Sequence, residues 1–149
     1  MNHPVERGVL DTSTLLELGD LSAAQLPAEP LITAITLAEL SVGPHVAQSE
    51  QVRAARQTHL QQAEADFDAL PFDAAAARAF GRVASALRSA GRKPAARAYD
   101  ALIAATAIAH GLPLFTCNPR DFEWIPELQL HPVDRGGPAT DDRVVPPAT

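Results

Sequence analysis

The chain has 149 residues, 46% of them hydrophobic and 20% charged, with a net charge of −6. That size supports one domain with its own core, and a single cysteine, Cys117, rules out an internal disulfide. No apolar run approaches the ~18 residues of a membrane-spanning helix, and the start, Met1 to Gly8, has no apolar leader, so a cytoplasmic protein is expected.

In chain order, Gly8 to Asp11 reads as a short buried strand. Thr12 to Leu18 reads as a helix, with Asp11, Thr12 or Ser13 near its N-cap and Gly19 as its stop. Gln25 to Pro30 is a proline-bearing connection, and Leu31 to Ile35 is a second strand rich in branched residues. A helix starts at Thr36 and runs to Val42, where Gly43-Pro44 predicts a break or kink. Glu50 to Phe67 repeats apolar residues at helical spacing (Val52, Ala55, Leu60, Ala63, Phe67). Leu70-Pro71-Phe72 interrupts it as a short strand. Asp73 caps a helix through Ala90, closed by Gly91. Pro94 suits the start of the next helix, which runs to His110 with Gly111 at its end. Leu112 to Thr116 is a strand, Asn118 to Phe122 a turn or single helical turn, and Leu128 to His131 a last strand. The Gly-, Pro- and Asp-rich stretch from Asp134 onward reads as a disordered tail after a domain spanning 1–133. Alternating strands and helices predict an α/β domain with a mainly parallel central sheet of four to five strands.

Four acids stand at the ends of, or inside, apolar segments: Asp11, Glu39, Asp100 and Asp121. Such carboxylates cost desolvation energy unless a cation neutralises them, and hard divalent cations take oxygen ligands. In a parallel sheet, ligands bind beyond the carboxyl ends of strands, where Asp11 and the Thr116 to Asp121 turn fall. Each acid also has a local alternative. Asp11 suits a helix cap. Thr36 to Glu39 fits a capping box, in which Glu39 reaches back to the Thr36 amide. Asp100 could pair with Arg97 or Arg92, and Asp121 could cap a turn.

Net acidity argues against a simple electrostatic nucleic-acid binder, but the charge is unevenly spread. Arg78, Arg82, Arg88, Arg92, Lys93 and Arg97 carry half of the twelve basic residues in a stretch without an acid. This reads either as a solvated helix face or as a phosphate-holding patch beside an acidic site. Other phosphate chemistries fit worse. The five histidines have no zinc-like spacing, and no GxxxxGK[ST] loop exists. A DxD phosphatase would need an acid at Ser13. A phospho-receiver would need an acidic pair by the first strand and a late lysine, and the only lysine is Lys93.

Four blocks together carry a family resemblance: Leu10-Asp11-Thr12-Ser13, Thr36 to Leu40 (TLAEL), Tyr99 to Ala107 (YDALIAATA) and Thr116 to Phe122 (TCNPRDF). With them the chain resembles a PIN-domain ribonuclease of the VapC toxin type over about residues 8–133. The resemblance implies a PIN-like parallel sheet flanked by helices and an acidic pocket that binds Mg²⁺, or Mn²⁺ in its place, and cleaves RNA. Its acids fall on Asp11, Glu39, Asp100 and Asp121. Asn118 stands where the family turn can carry Asp, and is either a ligand through water or a positioning group. Thr12, Ser13 and Thr116 would orient the carboxylates by hydrogen bonds, and Arg92, Lys93 and Arg97 would hold RNA. The implied reaction is hydrolysis of an RNA phosphodiester by a metal-activated water, leaving 5′-phosphate and 3′-hydroxyl ends. Without metal, one of the four clustered acids should keep a proton at neutral pH. Implied partners are a cognate antitoxin in a groove built from Leu15, Leu16, Leu18, Leu37 and Leu40, and a second copy of the chain in a homodimer. The alternatives are an RNA-processing PIN nuclease and a catalytically silent PIN-like interaction module.

Overall fold

A computed structural model describes residues 5–93 and 97–135. Five strands form one sheet: β1 (Arg7–Leu10), β2 (Glu29–Thr33), β3 (Ala69–Leu70), β4 (Leu114–Thr116) and β5 (Leu130–Pro132). Their order is β3-β2-β1-β4-β5, and every pairing is parallel. The helices are α1 (Thr12–Leu16), α2 (Ala34–His45), α3 (Glu50–Asp66), α4 (Ala74–Ser89) and α5 (Ala98–Ala109). The chain builds outward from β1 to β3, then returns to lay β4 on the other side of β1. That reversal opens a crevice at the carboxyl ends of β1 and β4, the place where open α/β sheets bind ligands.

Alternation along the strands sends neighbouring residues to opposite faces. Val9 and Leu114 join Ala79, Val83, Leu87, Ile103, Ala104 and Phe122 in the core under α4 and α5. Leu10 and Phe115 join Cys117 and Val133 on the other face, with Leu15, Leu18 and Leu21 packed against them. The buried seam of α4 is Ala76, Ala79, Val83 and Leu87, at steps of three and four residues. Its arginines Arg78, Arg82 and Arg88 are exposed. Asp73 caps α4 by accepting from the Ala76 amide at 3.0 Å. In α5 the buried residues Ala101, Ile103, Ala104, Ala105, Thr106 and Ala107 run almost all round the helix. Small side chains let it lie closely between α4 and the sheet. Gly91 and Gly111, at φ of +75° and +66°, end α4 and α5 in the left-handed conformation.

Gly8 is fixed by a close approach rather than by its backbone angle. A Cβ there would stand 2.5 Å from Phe115 Cε1. The Phe115 ring is 3% exposed and stacked on His131 at 4.6 Å between centroids, so it has nowhere to go. Gly8→Ala is therefore expected to destabilise by about 1–3 kcal/mol, an overpacking cost read from urea unfolding.

Several local expectations change. Helix α2 begins two residues early, at Ala34, and runs through Gly43-Pro44 to His45 instead of breaking. Pro44 sits one residue before the end of the helix, and its ring is buried. The helix after β1 ends at Leu16, and Gly19 lies inside a 3₁₀ turn over Leu18–Asp20 rather than stopping a helix. Of the apolar repeat in α3 only Ala63 is buried, while Val52 is 40% exposed. The expected start of α5 at Pro94 lies outside the described residues. The expected disordered tail begins at Asp134, yet Asp134 is held: its N–H donates to Gln25 Oε1 at 2.8 Å, and Gln25 Nε2 donates to its carbonyl at 3.1 Å. Residues 136–149 lie outside the described residues. No helix among the described residues is long and apolar enough to cross a membrane.

Candidate active site

Asp11 follows β1 directly, at the mouth of the crevice, and is 3% exposed. It is the N-cap of α1, accepting from the Thr14 amide at 3.3 Å. Capping is only part of its surroundings. Thr116 Oγ1, from the end of β4, donates to Asp11 Oδ2 at 2.9 Å, and Ser13 Oγ donates to the same oxygen at 3.4 Å. Burial pushes the Asp11 carboxyl above its ordinary range, and these donors pull against that shift. The Thr116 oxygen in turn accepts from the Asn118 amide at 2.9 Å. Thr14, fully buried, accepts from the Cys117 amide at 2.9 Å and so ties α1 to the turn after β4.

Glu39 lies on α2 and makes no capping box. The N-cap of α2 is Thr33, whose hydroxyl accepts from the Thr36 amide at 3.2 Å. With the helix starting earlier than expected, Glu39 falls in its second turn and faces α1, where Thr12 Oγ1 donates to it. Thr12 has one hydroxyl proton and spends it on Glu39. Its 2.9 Å contact with the buried Thr36 hydroxyl therefore makes Thr36 the donor. Burial raises the Glu39 carboxyl, the Thr12 bond lowers it, and the charge of Asp11 raises it. Thr14, Thr33 and Thr36 were not among the sequence candidates. The signal was three threonines beside apolar strand ends, where an unpaired hydroxyl would be costly.

Asp100 occupies the first turn of α5. Its carboxyl is pushed up to about 6, first by burial, then by the charges of Asp121, Asp11 and Glu39, with Arg97 opposing. All four acids thus share one electrostatic field. In the metal-free protein burial thus raises three of the four acids, Asp11, Glu39 and Asp100, and Arg97 opposes the rise at Asp100. Asp121 ends the one-turn 3₁₀ helix Pro119–Asp121, where Arg97 Nη1 donates to its Oδ1 at 2.8 Å. Arg97 therefore pairs with Asp121 across the crevice, not with Asp100 on its own helix.

The remaining sequence candidates divide. Asn118 Nδ2 donates to Ser13 Oγ at 2.9 Å. Arg92 lies over the Trp124 ring, 5.5 Å from its centroid, and Lys93 is exposed. Arg82, from the basic run, is paired with Glu127 at 2.8 Å. Among the described residues, no three His, Cys, Asp or Glu side chains stand together at metal-cage spacing. The donor set nonetheless fits a hard cation. It offers carboxylate oxygens, partly or fully buried, with Glu39 raised by the charge of Asp11 and Asp100 by the charges of the other three. Among the described residues, Asp11, Glu39 and Asp100 form no ion pair.

An all-parallel sheet with an acid-lined crevice at its topological switch point defines an α/β protein whose candidate site lies beyond the carboxyl ends of β1 and β4. The PIN domain family matches residues 9–128 of the chain. The chain is 40% identical over 112 residues to Ribonuclease VapC5 of Mycobacterium tuberculosis, covering 73% of this chain and 81% of that protein. It is 31% identical over 126 residues to Ribonuclease VapC of Rickettsia bellii, covering 82% and 92% respectively. The solved structure of VapBC-5 from M. tuberculosis, a member of the VapBC family of toxin–antitoxin systems, superposes with a TM-score of 0.72 at 34% identity, covering 86% of this chain and 98% of that one. FitAcB from Neisseria gonorrhoeae superposes with a TM-score of 0.64 at 25% identity, covering 82% and 94%. The chain belongs to the PIN-domain family and, within it, to the VapC ribonucleases.

Proposed function

We propose that this chain is a Mg²⁺-dependent endoribonuclease, the toxin of a toxin–antitoxin pair, with Asp11, Glu39, Asp100 and Asp121 as its acidic site. The observation that carries this reading is the elevation of Asp100 to about 6 by burial and by the other three acids. Such an arrangement opposes folding stability and is retained where charge must be gathered. The relatives' names and the toxin–antitoxin complexes among their solved structures support the same reading.

When bound, Mg²⁺ would supply positive charge at the scissile phosphate and lower the pKa of an attacking water. Asp11, Glu39, Asp100 and Asp121 would hold it. The chain's own groups orient those acids. Thr116 and Ser13 aim one oxygen of Asp11, and Thr12, backed by Thr36, aims Glu39. Arg97 balances Asp121 and stands beside the pocket, where its guanidinium can meet an RNA phosphate. Lys93, exposed nearby in sequence, adds charge along the path of the backbone.

A protein inhibitor also has a place to sit. A cavity of about 390 Å³ lined by Thr12, Leu16, Glu39, Leu40, Arg56 and His59 opens beside the acidic site. A neighbouring one of about 280 Å³ is lined by Leu15, Leu16, Leu18 and Phe67 among others. Leu16, 51% exposed, joins them. The apolar side chains of an antitoxin segment would fill these hollows, and a basic side chain could reach Glu39. A homodimer, testable by sedimentation, completes the assembly.

Cleavage of a mixed RNA panel is expected with Mg²⁺ or Mn²⁺ and lost in excess EDTA. Undiminished cleavage in EDTA would sink the metal-dependent reading. Absence of cleavage with either ion, in a folded protein, would favour a silent interaction module instead. Neutral Asn118, where the family turn can carry Asp, is the feature that keeps that second reading open.

A further inference from the structure

Arg135 lies beyond the span that the PIN family matches, yet it reaches back to the site. The main chain delivers it: the Val133 N–H donates to the Thr116 carbonyl at 2.8 Å, and Gln25 grips both backbone groups of Asp134. Its guanidinium then fans out over the far side of the crevice. Nε and Nη2 donate to the two oxygens of Glu17 at 2.7 and 2.8 Å. Nη1 donates to the Cys117 carbonyl, and Nη2 to Asn118 Oδ1, each at 3.3 Å.

The last contact has a directional consequence. An asparagine amide has an accepting oxygen and a donating nitrogen, and turning it over exchanges them. Arg135 is a donor only, so beside it the Asn118 oxygen must face the guanidinium. The Asn118 nitrogen then faces Ser13 and donates to its oxygen at 2.9 Å. Ser13, its oxygen engaged, directs its proton to Asp11 Oδ2. Every donor in the series from Arg135 through Asn118 and Ser13 points toward Asp11.

We infer that Arg135 is a positioning residue of the acidic site: by fixing the Asn118 amide it sets the orientation of Ser13 and Asp11. This inference rests on the functional reading above for its effect on metal, but the hydrogen-bond series itself does not. It also accounts for a neutral residue at position 118. An amide can pass a hydrogen bond from a cation to a hydroxyl, whereas a carboxylate at that point has no proton to donate to Ser13.

The test compares Arg135→Met and Glu17→Gln with the parent. In Arg135→Met the Mg²⁺ concentration for half-maximal cleavage, and the Mn²⁺ concentration for half-saturation by electron paramagnetic resonance, should rise about tenfold. KM for RNA at saturating Mg²⁺ should move less than about twofold. Glu17→Gln, which leaves Arg135 a weaker anchor, should shift both metal constants the same way by a smaller factor. The sign is diagnostic. Removing a cation beside an acidic site would by charge alone tighten metal binding. Tighter or unchanged metal binding in Arg135→Met overturns the inference, and so does a raised KM for RNA with an unchanged metal constant, which would make Arg135 a phosphate contact. The series is also read without metal. The Asn118 side-chain NH₂ resonances of the metal-free protein should shift and exchange faster in Arg135→Met, and their indifference would equally overturn it. If the parent itself neither binds Mn²⁺ nor cleaves RNA, the functional reading fails while the NMR result still decides the role of Arg135.

Discussion

Asp100→Asn should fold at least as well as the parent and lose RNA cleavage by roughly 10³-fold or more at saturating Mg²⁺. The two effects have one cause. In the metal-free protein the Asp100 carboxylate is partly buried and repelled by Asp121, Asp11 and Glu39. An isosteric amide removes that repulsion, and the metal-free variant should gain on the order of 1 kcal/mol near pH 7.5, after discounting for solvent at a partly exposed side chain. The same amide cannot supply the charge a hard cation needs. Mg²⁺ should therefore raise the melting temperature of the parent by about 5 °C and that of the variant hardly at all. Cleavage within about tenfold of the parent would remove Asp100 from the site. A variant that unfolds would mean that Asp100 serves structure.

The second large effect is the dependence of stability on pH and metal. Unfolded, Asp100 has the ordinary value of 3.8; folded, it is raised to about 6. Its folded state holds a proton more tightly, so its contribution to stability is fully present below 3.8 and is lost as pH rises through 6. Asp11 and Glu39, also raised, act in the same direction. The metal-free protein should thus lose on the order of 2 kcal/mol between about pH 4.5 and 7.5 from these groups, with screening allowed for. Mg²⁺ must displace those protons, so its stabilisation should run the opposite way: slight near pH 5 and full near pH 7.5. Thermal melts at both pH values, with Mg²⁺ and with EDTA, measure all four corners. A Mg²⁺ effect equal at both would mean that the ion binds away from these acids.

Much of the fold was legible because the physics that makes it is local. Short apolar runs marked β1 and β4, and branched side chains marked β2. Asp73 and Gly91 marked both ends of α4, since a cap bond spans three residues and a left-handed glycine needs no partner. The reading failed at Thr36, taken as a cap, because Thr33 two residues from the strand's buried centre makes the same bond one turn earlier. At Gly43-Pro44 the helix runs on only one residue past the proline, to His45.

The sequence by itself determined that this is a parallel α/β protein with four acids at the ends of apolar segments, and its motifs assigned it to the PIN domains. Only the tertiary structure decided who neutralises and orients those acids. Arg97 takes Asp121 rather than Asp100, Glu39 takes Thr12 rather than its own helix cap, and Arg135 returns to Glu17 and Asn118. The physical reason is range. Periodicity and caps are settled within a few residues, whereas Thr116 and Asp11, 105 residues apart, meet only because β4 pairs with β1 in the register Leu10 opposite Phe115.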